Sequence, residues 1–141
     1  MDGNIANYYV DTDILIRLFT GDDLRKQEAS AKLFEKVFQG KLILSAPETT
    51  IGDTVFVLSS RNLYNFPRIK IRDAIASLLR YPNFKVESKQ IILSALDLYA
   101  NSNLDFGDAM LAVLTQQSSE KTIYSYDHDF DKIEGMVRKE P

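Results

Sequence analysis

Cysteine is missing from this chain altogether, and histidine occurs once, at His128. The first absence excludes disulfides and thiolate metal sites and gives no sign of an oxidising compartment. The second leaves too little imidazole for a zinc site or a Ser-His triad, so any metal has to be held by oxygens. No apolar segment reaches membrane-spanning length and no signal-peptide pattern stands at the N-terminus, so a cytoplasmic location with no membrane partner is expected. A glycine-rich phosphate loop is lacking, which counts against a phosphatase or other hydrolase built on one. Repeats, linkers and low-complexity tracts are also absent. A chain of 141 residues is then expected to be one domain, 1–141, long enough to bury a core.

What is present is ordinary in bulk and uneven in detail. Hydrophobic residues make up 45% and charged residues 26%, the balance of a soluble globular protein. A net charge of -3 argues against broad electrostatic attraction to nucleic acid. Yet Arg61, Arg68, Lys70, Arg72, Arg80 and Lys85 fall in one segment against a single acid, Asp73.

The stretch Tyr8-Tyr9-Val10-Asp11-Thr12-Asp13-Ile14-Leu15 organises the rest. An apolar run from Ile5 stops at two acids, and a helical pattern resumes at Ile14, as when a buried strand hands over to a helix. In open α/β sheets ligands bind at that edge. Leu24 to Phe38 reads as an amphipathic helix, with Ala29, Leu33 and Val37 at helical spacing and Gly40 as its stop. Lys41 to Leu44 reads as a strand, and Glu48 to Ser60 as a helix entered through Pro47. A further helix carries Ile71, Ile75 and Leu79, followed by a strand at Phe84–Val86. Ser88 is placed as the N-cap of a helix over 91–100, and Asp105 to Gln117 forms the next helix. Strands at Thr122–Ser125 and around Met136–Val137 close the chain. Strands alternating with helices predict the α/β class, a parallel sheet covered by helices.

Acids recur at four places. Asp11 ends the first strand, where it can also cap the following helix. In the helix from Glu48, the macrodipole explains Glu48 in the first turn. Asp53, mid-helix with Phe56 and Val57 at i+3 and i+4, reads as a carboxylate pressed against a core-facing stripe, and is preferred. In Asp105-Phe106-Gly107-Asp108-Ala109 two carboxylates three apart share a helix face, and both suit a helix N-terminus. Gly52 and Gly107, each beside an acid and each costly in a helix, invite close approach of a ligand or backbone. Last, Asp127 is the first acid after a strand in Ser125-Tyr126-Asp127-His128-Asp129-Phe130-Asp131. The alternating acids there resemble a calcium loop, but Lys132 and Arg138 occupy positions that loop needs as Gly and Glu. Asp129 and Asp131 fit a solvated turn, and His128 reads as a turn residue. Carboxylates gathered at one sheet edge repel each other and call for a divalent cation, Mg2+ or Mn2+. Such a site suits phosphodiester hydrolysis.

The four segments Val10-Asp11-Thr12-Asp13-Ile14-Leu15, Asp53-Thr54-Val55-Phe56-Val57-Leu58, Asp105-Phe106-Gly107-Asp108-Ala109 and Ser125-Tyr126-Asp127-His128-Asp129-Phe130 together resemble the PIN domain. Within it, they are most similar to the small VapC-type toxin ribonucleases. The resemblance implies a three-layer α/β/α sandwich with a central parallel sheet, and an Mg2+- or Mn2+-dependent endoribonuclease. Asp11, Asp53, Asp108 and Asp127 match the family's acidic quartet, with Asp105 beside the third member and Thr12 and Ser125 at hydroxyl positions near the site. A homodimer and a small antitoxin that covers the cleft are implied as well. In the mechanism expected, Asp11, Asp108 and Asp127 hold the cation while Asp53 orients or deprotonates the attacking water. The second acid of the family is usually Glu, so Glu48 is the alternative to Asp53. Arg61, Arg68, Lys70 and Arg72 are candidates to hold RNA phosphates, against the simpler account of a solvated helix face. A non-catalytic PIN-like module that binds RNA or protein is the alternative function.

Overall fold

The structure, a computed structural model, describes residues 5–141. The chain divides into two compact units, one reaching to Lys89 and the other running from Gln90 to Pro141.

In the first unit, strands β1 (Asn7–Tyr9), β2 (Ile43–Ala46) and β3 (Phe84–Val86) alternate with helices α1 (Thr12–Phe19), α2 (Leu24–Phe38), α3 (Glu48–Ser59) and α4 (Arg68–Leu79). The strands form a parallel sheet in the order β1-β2-β3, with Tyr8 beside Leu44 and Leu44 beside Phe84. Each connection returns through helices, so the carboxyl ends Tyr9, Ala46 and Val86 share one edge. The core centres on Phe34 and Phe84, whose rings meet edge to face at 5.5 Å, with Leu15, Leu44, Ile51, Leu58, Ile71 and Ile75 buried.

Three of these elements differ from expectation. Strand β1 is not buried: Asn7, Tyr8 and Tyr9 are all exposed, and burial begins only at Val10. Helix α2 buries Ser30, Phe34 and Val37, while Ala29 is exposed and Leu33 half-buried. Strand β2 starts at Ile43 and not at Lys41, since Lys41 lies in the turn that closes off α2. Its N–H donates to the Lys36 carbonyl at 2.9 Å and the Gly40 N–H to Val37 at 3.0 Å. Gly40 turns left-handed at φ 74. That pair of bonds is the Schellman ending, which a residue lacking Cβ permits.

The second unit holds most of α5 (Lys89–Ala100), then α6 (Phe106–Gln117), β4 (Thr122–Tyr124), a 3-10 helix (His128–Lys132) and β5 (Val137–Lys139). Strands β4 and β5 are parallel, with Ile123 beside Arg138. Ile92, Leu96, Tyr99, Phe106, Ala109, Val113 and Phe130 are buried, and Tyr99 meets Phe106 edge to face at 6.4 Å. Ser88 does not take the extended backbone of an N-cap; its φ is 61. Helices alternating with parallel strands make the α/β class predicted from sequence. Among the described residues no helix is long and apolar enough to cross a membrane.

Candidate active site

Asp11 follows β1 and caps α1: its backbone is extended, and its Oδ1 accepts the Thr12 N–H at 2.7 Å. The carboxylate is exposed and Thr12 half-buried. Capping occupies one oxygen and leaves Oδ2 with no hydrogen bond among the described residues. In the same unit, Glu48 stands exposed in the first turn of α3, and Asp53 lies one to two turns further on.

The reason for preferring Asp53 does not hold. Helix α3 buries Thr50, Ile51, Thr54, Val55 and Leu58, whereas Asp53 is exposed and Phe56, its i+3 neighbour, is 73% exposed. Two threonines took core positions that a hydrophobic pattern assigns to apolar residues. Thr54 is fully buried because its hydroxyl donates to the Thr50 carbonyl at 2.7 Å and needs no other partner. The apolar stripe is thereby rotated away from Phe56, and Asp53 faces water at little cost.

The second unit assembles the remaining acids. Asp105 caps α6, accepting the Asp108 N–H on Oδ1 at 2.8 Å, and Asp108 sits half-buried in the first turn. Burial pushes the Asp108 carboxyl above its ordinary value, and the charges of Asp105, Asp127 and Asp129 push it the same way. The start of α6 and the turn after β4 are therefore near enough to act on one another. Gly107 has no close neighbour to explain it: a Cβ there would meet only Asp105 Oδ1, at an ordinary 3.6 Å.

In that turn the Asp127 N–H donates to Ser125 Oγ at 3.0 Å, and Asp127 Oδ1 accepts the Asp129 N–H at 2.9 Å, capping the 3-10 helix. Asp129 lies 3.9 Å from Lys132 Nζ, a loose exposed pair. His128 is a turn residue, its Nδ1 at 3.0 Å from both Asp131 Oδ2 and Arg138 Nη2. Sequence reasoning missed Arg138, which donates to Asp131 at 2.9 Å, Glu140 at 2.7 Å and the Ser125 carbonyl at 2.8 Å. The signal was an arginine on a short strand close behind a turn of acids.

The basic segment is partly engaged. Lys70 lies over the Phe66 ring at 3.9 Å, Arg72 donates to Asp73 at 3.0 Å, Arg68 is half-buried, and Arg61 is exposed in a turn.

Carboxylates and hydroxyls are donors for a hard divalent cation, and the anionic crowding around Asp108 is the environment such an ion relieves. Among the described residues no three His, Asp or Glu side chains are grouped to hold one. No curated protein matches the chain. PIN domains are generally nucleases that use divalent metals. With residues 8–136 matching the family model described as PIN domain, which spans both units, this chain belongs to the PIN domain family.

Proposed function

We propose that this PIN protein, acting as one domain over 1–141, is a metal-dependent endoribonuclease that hydrolyses RNA phosphodiester bonds. The observation that carries the reading is the state of the carboxylates. Among the described residues, Asp11 and Asp127 each give one oxygen to a cap and keep the other, while Asp108 gives none. All three stand where a strand yields to a helix or a helix begins. Asp11, Asp108 and Asp127 would hold Mg2+ or Mn2+, and Asp53 would orient or deprotonate the attacking water, with Glu48 as its alternative. The bound cation would neutralise charge on the phosphate and ease removal of a proton from water. Thr12 and Ser125 supply hydroxyls beside these acids, and Asp105 and Asp129 add negative charge. The four acidic segments in the order of the VapC-type toxins support a finer reading. On it, the protein is the toxin of a type II toxin–antitoxin pair, a cytoplasmic homodimer restrained by a small antitoxin.

Replacing Asp11 by Asn is expected to leave the circular dichroism spectrum unchanged and to lower Mn2+-dependent RNA cleavage by more than about 100-fold, beyond the loss typical of an outer-shell group. Unchanged cleavage in that variant would count decisively against the assignment. Mn2+ is expected to raise the melting temperature of the wild type and not of Asp11→Asn. RNA binding with neither cleavage nor a Mn2+ response would identify a non-catalytic binding module. A short reading frame beside the gene, encoding a DNA-binding protein that blocks cleavage, is the test of the toxin role.

A further inference from the structure

At the shared carboxyl edge of β1, β2 and β3 the first unit has an open pocket of about 590 Å³, lined by Tyr9, Pro47, Pro82, Lys85, Glu87 and Lys89 among others. Its size is that of small-ligand sites, and the edge is where open parallel sheets bind ligands. The strand register builds it: Tyr9 pairs with Ser45 and Ser45 with Lys85, so an aromatic ring and an ammonium group two strands apart come to one place.

Its charge is not neutralised from within. Among the described residues neither Lys85 nor Lys89 is paired with a carboxylate, although Glu87 borders the same space. Lys89 Nζ donates to the Tyr81 carbonyl at 3.0 Å. Burial and the charge of Lys85 both pull the Lys89 ammonium below its ordinary range. Two cations held this way gain from an anion that touches both. Tyr9, 79% exposed, adds an uncovered aromatic surface next to them.

We propose that this pocket binds one nucleotide of single-stranded RNA, with its phosphate on Lys85 and Lys89 and its base against the Tyr9 ring. The proposal rests on the RNA-cleaving reading and names a substrate subsite for it. A phosphate flanked by an aromatic base uses both the cations and the ring. An acidic peptide would leave Tyr9 idle and would bring more carboxylates beside Glu87.

The test is fluorescence anisotropy of the full chain with a labelled single-stranded RNA oligonucleotide in EDTA, where binding is read without cleavage. Lys85→Gln with Lys89→Gln is expected to weaken binding and to reduce the salt-dependence slope by about 0.7, the share of the one phosphate that the two lysines hold. Tyr9→Leu is expected to weaken binding by about 5- to 150-fold with the slope unchanged, and Tyr9→Phe to restore it. Unaltered affinity and slope in the double lysine variant would overturn the proposal, as would a wild type that binds no RNA or one that prefers poly-glutamate. Should a variant fold poorly, acetylation of the wild type followed by mass spectrometry decides: RNA is expected to protect Lys85 and Lys89, and equal modification with and without RNA refutes the subsite. Failure of the nuclease reading is seen separately, as RNA bound normally but left intact when Mn2+ is added.

Discussion

Arg138 on β5 and Asp131 at the end of the acidic turn are joined through Nε and Oδ1 at 2.9 Å, with only 10% of the arginine side chain exposed. The same guanidinium also holds the Ser125 carbonyl and the Glu140 carboxylate, so one side chain ties β5 to both ends of the segment that carries Asp127. A planar fork of donors can do this and a lysine cannot.

Arg138 and then His128 hold the Asp131 carboxyl below its ordinary range. A depressed carboxyl stabilises the fold above its unfolded value, and that contribution is lost as pH falls through the folded value. Arg138→Met is therefore expected to return the Asp131 titration, followed by NMR, toward the usual carboxylate range. Its melting temperature should be lower than wild type at neutral pH, and the difference should shrink in acid. Arg138→Lys should restore the titration only in part. A difference that stays constant with pH would show that packing, not this ion pair, matters.

Asp108 has the opposite sign. Its raised carboxyl means that the folded state resists ionisation, so the penalty is absent below the unfolded value and grows as pH rises through the folded one. Without divalent cations, Asp108→Asn is expected to melt higher than wild type at neutral pH and equally in acid. The same variant should lose cleavage, a trade of activity for stability common at strained sites. Thermal melts in EDTA at the two pH values, beside a cleavage assay, read both effects. A lower melting temperature at neutral pH would contradict the electrostatic account.

Asp53 and Glu48 are both exposed on α3, so alanine at either position should change stability by no more than about 0.5 kcal/mol. Differences in cleavage between the two variants can then be read as chemistry. Asp53→Ala is expected to lower the rate by about 10²–10⁴-fold, as loss of a positioned base does, and Glu48→Ala to leave it near wild type. The reverse order would make Glu48 the second acid.

Phe34 is fully buried against Phe84 in the first unit. Phe34→Ala should cost about 3–5 kcal/mol in chemical denaturation, with a smaller loss for Phe34→Leu. A loss below about 1 kcal/mol would mean that this ring pair is not the centre of the core.

By itself the sequence determined what depends on neighbours along the chain. Periodicity marked the helices and alternation of element type marked the parallel strands. Cap chemistry put Asp11, Asp105 and Asp127 at the ends of elements, because a short carboxylate next to a free backbone N–H is a local bond. Tertiary structure decided what depends on distant segments meeting. Buried threonines turned α3 so that Asp53 faces solvent, the parallel pairing of β4 with β5 brought Arg138 to a turn formed 7 to 13 residues earlier, and sheet register set Lys85 near Tyr9. The physical reason is that a hydrogen bond within a helix end is specified by three or four residues, whereas a face, a clamp or a pocket exists only once packing has fixed which segments are adjacent.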